Sequence, residues 1–97
     1  MVKVYIAGPM TGIPDYNFPA FDAAAARLRD AGHDVVNPAW NGVPLDAPRA
    51  DHLRVDIRNL IECDAVAVLP GWDRSQGARL EVRIASDLGL TVMDVPA

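Results

Sequence analysis

The chain has a single cysteine, Cys63, in 97 residues. No internal disulfide can therefore form, and the neighbours Ile61 and Ala65 suit a small buried side chain better than a reactive thiolate. A reducing compartment, the cytoplasm, is the expected location. No apolar run approaches the roughly 20 residues a membrane-spanning helix needs. Met1-Val2-Lys3 leads into a strand pattern and not a secretory leader, so neither export nor membrane association is expected. Nine Lys and Arg stand against 13 Asp and Glu, a formal charge of −4, with no basic cluster. That argues against duplex nucleic acid as a partner, since such binders draw most of their affinity from neutralised phosphates. A small phosphorylated ligand stays open. No Gly-Lys-Ser/Thr follows a glycine loop and Gly-x-Gly-x-x-Gly is missing, which disfavours an NTPase or a dinucleotide dehydrogenase. His33 and His52 have no cysteine or acid at metal-ligand spacing, so no metal and no cofactor is expected, and both read as ordinary surface residues. No Ser-His-Asp order points to a serine hydrolase.

What is present is about half apolar, 51%, enough for one domain with one core over residues 1–97. Val2 to Ala7, rich in β-branched and aromatic residues and stopped by Gly8 and Pro9, reads as a buried strand at the centre of a sheet. Phe18, Phe21, Ala24, Ala25 and Leu28 recur at helical spacing between Asn17, an expected N-cap, and Ala31, with Gly32 as the stop. Pro19 falls in the first turn, where a missing N–H is tolerated. Asp34 to Asn37 gives a brief second strand. Three prolines, a glycine and Trp40 between Pro38 and Pro48 mark an irregular loop, a candidate lid. Leu53, Ile57, Leu60 and Ile61 define a second helix, Ala65 to Leu69 a third strand, Ser75 to Leu88 a third helix closed by Gly89, and Thr91 to Asp94 a last strand. Strand and helix alternate throughout, which predicts an α/β fold: a three-layer, flavodoxin-like or Rossmann-like parallel sheet with helices on both faces. The expected strand order is 2-1-3-4, which opens a crevice at the C-terminal ends of the first and third strands.

Two acids break the amphipathic pattern. Glu81 lies among Ala78, Ile84, Ala85 and Leu88 at spacings of three, four and seven, and Asp56 lies three residues after Leu53 and four before Leu60. On a helix both fall in the apolar stripe. A buried carboxyl needs a partner or takes up a proton, and that tuning is characteristic of active sites, although an acid at the edge of a core can also simply accept hydrogen bonds. Two glycine-containing loops begin at the same crevice. Gly8-Pro9-Met10-Thr11-Gly12 lets backbone N–H groups approach a ligand, and Ser75 with Gly77 offers a hydroxyl, free amides and a helix N-terminus. Both suit an anion; both are also ordinary turn composition.

These residues resemble the nucleoside 2-deoxyribosyltransferase superfamily. The resemblance rests on Tyr5-Ile6-Ala7-Gly8-Pro9-Met10-Thr11-Gly12, on Asp56 eight residues before Asp64-Ala65-Val66, and on Ser75-x-Gly77-x-x-x-Glu81. It extends from Lys3 to about Leu90 and takes in small phage and bacterial members of unknown function, together with the 2′-deoxynucleoside 5′-monophosphate N-glycosidases. It implies that Glu81 attacks C1′ of a deoxyribose to form a covalent glycosyl-enzyme, that Asp56 helps protonate the departing base, and that the hydroxyl of Tyr5 holds the nucleophile, although a strand tyrosine is also ordinary core packing. Ser75 stands where the nucleoside transferases carry an acid, which implies a nucleotide whose 5′-phosphate sits among Ser75, Gly77, Gly8, Pro9, Met10 and Gly12. The larger relatives build their base pocket from extra sequence, so the base contact here is open: Trp72 or Trp40 could stack on it, or could cover the core. Arg74 and Arg79 read as phosphate ligands or as solvated surface charges. The expected partners are a small deoxynucleotide or nucleoside and a second copy of the chain, as a homodimer or higher assembly. The competing reading is a binding module that captures a nucleotide in the same cleft without turnover.

Overall fold

Along two buried strands, successive side chains go to opposite faces, and that alternation decides the architecture. The structure, a computed structural model, describes residues 2–95. Its elements are β1 (Lys3–Ala7), α1 (Phe18–Asp30), β2 (Asp34–Val36), α2 (Arg49–Leu60), β3 (Ala65–Val68), α3 (Gln76–Asp87) and β4 (Thr91–Asp94), with short 3₁₀ turns at Pro14–Asn17, Pro38–Trp40 and Trp72–Arg74. All strand pairs are parallel and the order is β2-β1-β3-β4, as the alternation predicted. Val4 and Ile6 of β1 pack with Phe21, Ala24, Ala25 and Leu28 of α1. Tyr5 and Ala7 pack on the other face with Leu60, Ala78, Val82 and Ala85 of α2 and α3. The result is three layers with β1 and β3 at the centre, each of their residues buried except Lys3.

Element ends fall within a residue or two of the hydrophobic pattern except at α2, which starts at Arg49, four residues before Leu53. Leu69 lies beyond β3, yet its N–H donates to Ala7 O at 2.9 Å, so pairing continues one residue past the strand. Cys63 is buried, donates its Sγ–H to Asn59 O at 3.3 Å, and has its thiol pushed up to about 11 by burial, which leaves it inert. Among the described residues no helix is long and apolar enough to cross a membrane.

The entry to α1 differs from expectation. Asn17 occupies the N-cap position, but its side chain caps nothing there; Nδ2 donates instead to Pro9 O at 3.0 Å. Asp15, Tyr16 and Asn17 have φ values of 54°, 52° and 62°, three successive left-handed residues without a glycine. Each such residue costs roughly 1–2 kcal/mol, a strain that composition alone does not reveal. It lies between the loop that leaves β1 and the first turn of α1.

Two glycines fix how the loops at the C-terminal edge meet. A Cβ on Gly8 would stand 2.8 Å from both Cβ and Cδ1 of Leu69, so the backbone there is pressed against the end of β3. Gly71 has φ of 85°, and a Cβ on it would meet Pro9 Cγ at 3.4 Å. The loops after β1 and β3 are thus in contact, as the switch point between them requires. Gly8→Ala should lower the stability by about 1–3 kcal/mol, read as a shifted denaturant midpoint, and trimming Leu69 in the same chain should recover part of the loss. A Gly8→Ala chain as stable as the parent would contradict this packing.

Candidate active site

Helix α3 turns Ala78, Val82 and Ala85 toward the sheet, and Glu81 goes with them at 7% exposure, the one buried charged residue among those described. Directly beneath it is Tyr5 of β1, whose ring is wholly buried in the core and whose hydroxyl donates to Glu81 Oε2 at 2.5 Å. The ring is core packing and the hydroxyl bonds a carboxyl at the same time. Burial pushes the Glu81 carboxyl up to about 8, against the pull of the Tyr5 hydrogen bond and with a further push from the charge of Asp56. Burial likewise raises the Tyr5 hydroxyl well above its ordinary value, helped by the charges of Glu81 and Asp56, so it stays a donor.

Asp56 is half-buried on α2, and its Oδ1 accepts from Asn41 Nδ2 at 3.0 Å. Burial raises its pKa, opposed by the Asn41 hydrogen bond and the charge of His52. The fold thus brings Tyr5, Asp56 and Glu81 into one electrostatic group from three elements. It adds two residues that pattern reading passed over. Asn41 carries no periodic signal, being in an irregular loop. His52, expected at the surface, is half-buried with Nδ1 3.3 Å from Asn41 Nδ2; its spacing of i, i+4 to Asp56 on one helix face was the available clue. His33, also expected at the surface, is half-buried beside the start of β2.

Ser75 caps α3: its Oγ accepts from Ala78 N at 3.3 Å. Capping uses a lone pair and leaves the hydroxyl proton free to donate. The amides of Gln76 and Gly77 precede the first intrahelical bond, Arg79 N to Ser75 O at 2.9 Å, and a Cβ on Gly77 would meet no atom within 4 Å. Trp72 packs against the α2 and α3 side of the core, whereas Met10 packs against the α1 side. Trp40 is 71% exposed, donates its indole N–H to Asp22 Oδ1 at 2.7 Å, and lies 6.2 Å from the Phe18 ring. Arg74 and Arg79 are exposed.

The described residues form two open hollows of similar size. One of about 630 Å³ is lined by Asp22, Arg29, Asn37, Trp40 and Asn41 among others, and shares Asn41 with the Asp56 contact. The second, about 620 Å³, is lined by residues including Arg27, Leu69, Gly71, Trp72 and Asp73, and so adjoins the loop that precedes Ser75. Neither is lined by Tyr5, Asp56 or Glu81.

Holding Glu81 this way has a measurable consequence. Its carboxyl titrates at about 8 in the fold against 4.5 ordinarily. Between those values the folded chain binds more protons than the unfolded chain, so stability falls as pH rises through that window. Glu81→Gln should therefore be more stable than the parent above pH 8, by a few kcal/mol, and nearly equal to it at about pH 4, where both states of the parent are protonated. Tyr5→Phe should move the Glu81 carboxyl titration, followed by ¹³C NMR, to higher pH. Thermal unfolding that depends on pH identically in parent and Glu81→Gln would contradict the buried carboxyl.

The sequence model of a domain of unknown function, DUF4406, matches residues 2–94. No curated protein matches the chain. Among solved structures, it is similar to a 2-deoxyribosyltransferase from Bacillus psychrosaccharolyticus, with TM-score 0.75 and 24% identity over 95% of this chain and 70% of that one. A 2-deoxyribosyltransferase from Leishmania mexicana superposes with TM-score 0.75 at 19% identity, over 97% of this chain and 63% of that one. A CMP N-glycosidase from Clostridium botulinum gives TM-score 0.66 at 18% identity, over 95% and 66%. The chain spans about two thirds of the length of these proteins. It belongs to the DUF4406 family and carries the fold of the 2-deoxyribosyltransferases.

Proposed function

We propose that the chain cleaves or transfers the N-glycosidic bond of a 2′-deoxyribonucleoside 5′-monophosphate. The observation that carries this reading is the buried pair of Glu81 and Tyr5, with the carboxyl of Asp56 acting on both through its charge. Tyr5 engages Oε2, which leaves Oε1 of Glu81 to attack C1′. The C1′–N bond breaks as the ester forms, its electron pair goes to the base, and Asp56 supplies the proton that neutralises the departing ring. Water, giving its proton back to Asp56, or a second base then displaces Glu81 and restores the carboxylate. The free hydroxyl proton of Ser75 and the first-turn amides of α3 suit a 5′-phosphate, which a carboxylate at that position would repel. The loop from Gly8 through Pro9 and Met10 to Gly12 adjoins the loop after β3 and closes the other side of the cradle, and Trp72 offers a ring for the base. Fold relatives that are deoxyribosyltransferases and a CMP N-glycosidase support the same class of reaction. Self-association is part of the reading: Leu80 on α3 and Leu88 just past its end, spaced by half-buried Ile84, and Val92 on the edge strand are exposed apolar side chains that a second copy would cover.

The carboxyls set the pH dependence. Attack needs Glu81 ionised and departure needs Asp56 protonated, so the reactive form holds one proton across the pair. Release should fall on the acid side, where the pair takes up a second proton, and again above about 8, where it loses its last. A rate that keeps climbing well past that limb would contradict the assignment.

Incubation with a panel of deoxynucleosides and their monophosphates, with free base followed by chromatography, tests the activity. Monophosphates should release base, Glu81→Ala should lose at least about a thousandfold, and Ser75→Asp should lose monophosphate cleavage preferentially. Release that survives Glu81→Ala would exclude the nucleophile. Tight binding with no release from any member would identify a binding module instead.

A further inference from the structure

The amide of Asn41 has a single allowed orientation. Its Oδ1 accepts from the backbone N–H of Val43 at 3.0 Å, and a backbone N–H can only donate, so the other end of the amide is Nδ2. That nitrogen faces Asp56 Oδ1 at 3.0 Å and His52 Nδ1 at 3.3 Å. Asp56 Oδ1 accepts one of its N–H bonds, and His52 Nδ1 lies within reach of the other. The loop after β2 is thereby tied to two residues of α2 one helical turn apart.

Resting on the glycosyl reaction proposed above, we infer that Asn41 is a positioning residue that assigns the two oxygens of Asp56, with Oδ1 held as an acceptor and Oδ2 left to carry and deliver the proton. An oxygen that accepts an amide N–H behaves as the carbonyl oxygen of a carboxylic acid, so the acidic proton resides on its partner. Groups from several elements surround Asp56, and the Asn41 bond is the one that distinguishes its two oxygens. Asn41 donates from the loop and His52 stands one turn earlier on the same helix. Tyr5 on β1 and Glu81 on α3 are coupled to it by charge. With Asn41 taking up Oδ1, a proton on Oδ2 is the one free to leave with the base.

The alternative role for Asn41 is turn formation through Val43, and two substitutions separate the roles. Asn41→Ala removes both contacts. Asn41→Asp keeps the acceptor for the Val43 N–H but sets a second carboxyl against Asp56, where a shared proton would be parked away from the base. Each variant is assayed with a deoxynucleoside monophosphate and with 2-deoxyribose 5-phosphate carrying 4-nitrophenolate, a leaving group that departs without a proton. Both variants should lose about tenfold or more of base release while nitrophenolate release stays within about twofold of the parent. Parental base release by Asn41→Asp, or equal loss on both substrates, would overturn the inference. The ¹³C titration of the Asp56 carboxyl should move to higher pH in Asn41→Ala, because the amide favours the ionised form; an unchanged titration beside intact parental release overturns the role of Asn41 alone. A parent chain that releases neither leaving group overturns the glycosyl reaction and the role built on it.

Discussion

The hydrogen bond from Tyr5 to Glu81 joins the centre of the sheet to the helix above it, and the rest of the site is arranged around it. A carboxyl under a helix is tolerated only with a partner, and the partner here is anchored as firmly as any group in the chain, since its ring is wholly buried on the central strand. The surroundings are small side chains: Ala7 on β1, Val66 and Val68 on β3, Ala78 and Ala85 on α3. They bring helix and sheet close enough for a phenol and a carboxyl to meet, and they keep water away from both. The same exclusion raises the carboxyl to about 8, so it is poised near neutrality and not fixed as a permanent charge.

Around that pair the fold collects groups from separate elements, each held by something other than the site. Asp56 is held by Asn41, which is itself tied to Val43 and His52. Ser75 is held by its cap on α3, and the loop after β1 is held against β3 by the contact of Gly8 with Leu69. The three left-handed residues at 15 to 17 belong to the same edge, where Asn17 fastens the carbonyl of Pro9. Strain of this kind persists only where surrounding contacts over-determine it, and it gathers at functional edges.

Much of this was legible in the residues. Strict alternation of strand and helix forces parallel pairing, and the short buried runs at β1 and β3 put those strands in the middle, so the order β2-β1-β3-β4 followed. Glu81 declared itself because helical periodicity places it among Ala78, Ile84, Ala85 and Leu88, and Asp56 because leucines flank it on one face. What periodicity cannot show is a partner that arrives from elsewhere in the chain. Asn41 is set by a turn whose geometry depends on the burial of Pro38 and Ala39, and His52 acquires meaning only through that loop. Ser75 was read as an anion ligand on the strength of its place; its cap on Ala78 is a local bond that the same position predicts equally well, and the two uses draw on different atoms of the hydroxyl. Gly8 looked like ligand clearance, while the structure gives it a packing reason in Leu69, a contact between distant segments.

The central claim is that Glu81 forms a bond to the sugar. Intact-protein mass spectrometry after rapid acid quenching of the chain with a deoxynucleoside monophosphate measures it most directly. The account predicts a species heavier by one 2-deoxyribosyl 5-phosphate unit, mapped by fragmentation to Glu81 and absent from Glu81→Gln. Release of base with no such species at any quench time, or an adduct mapped to another residue, would contradict it.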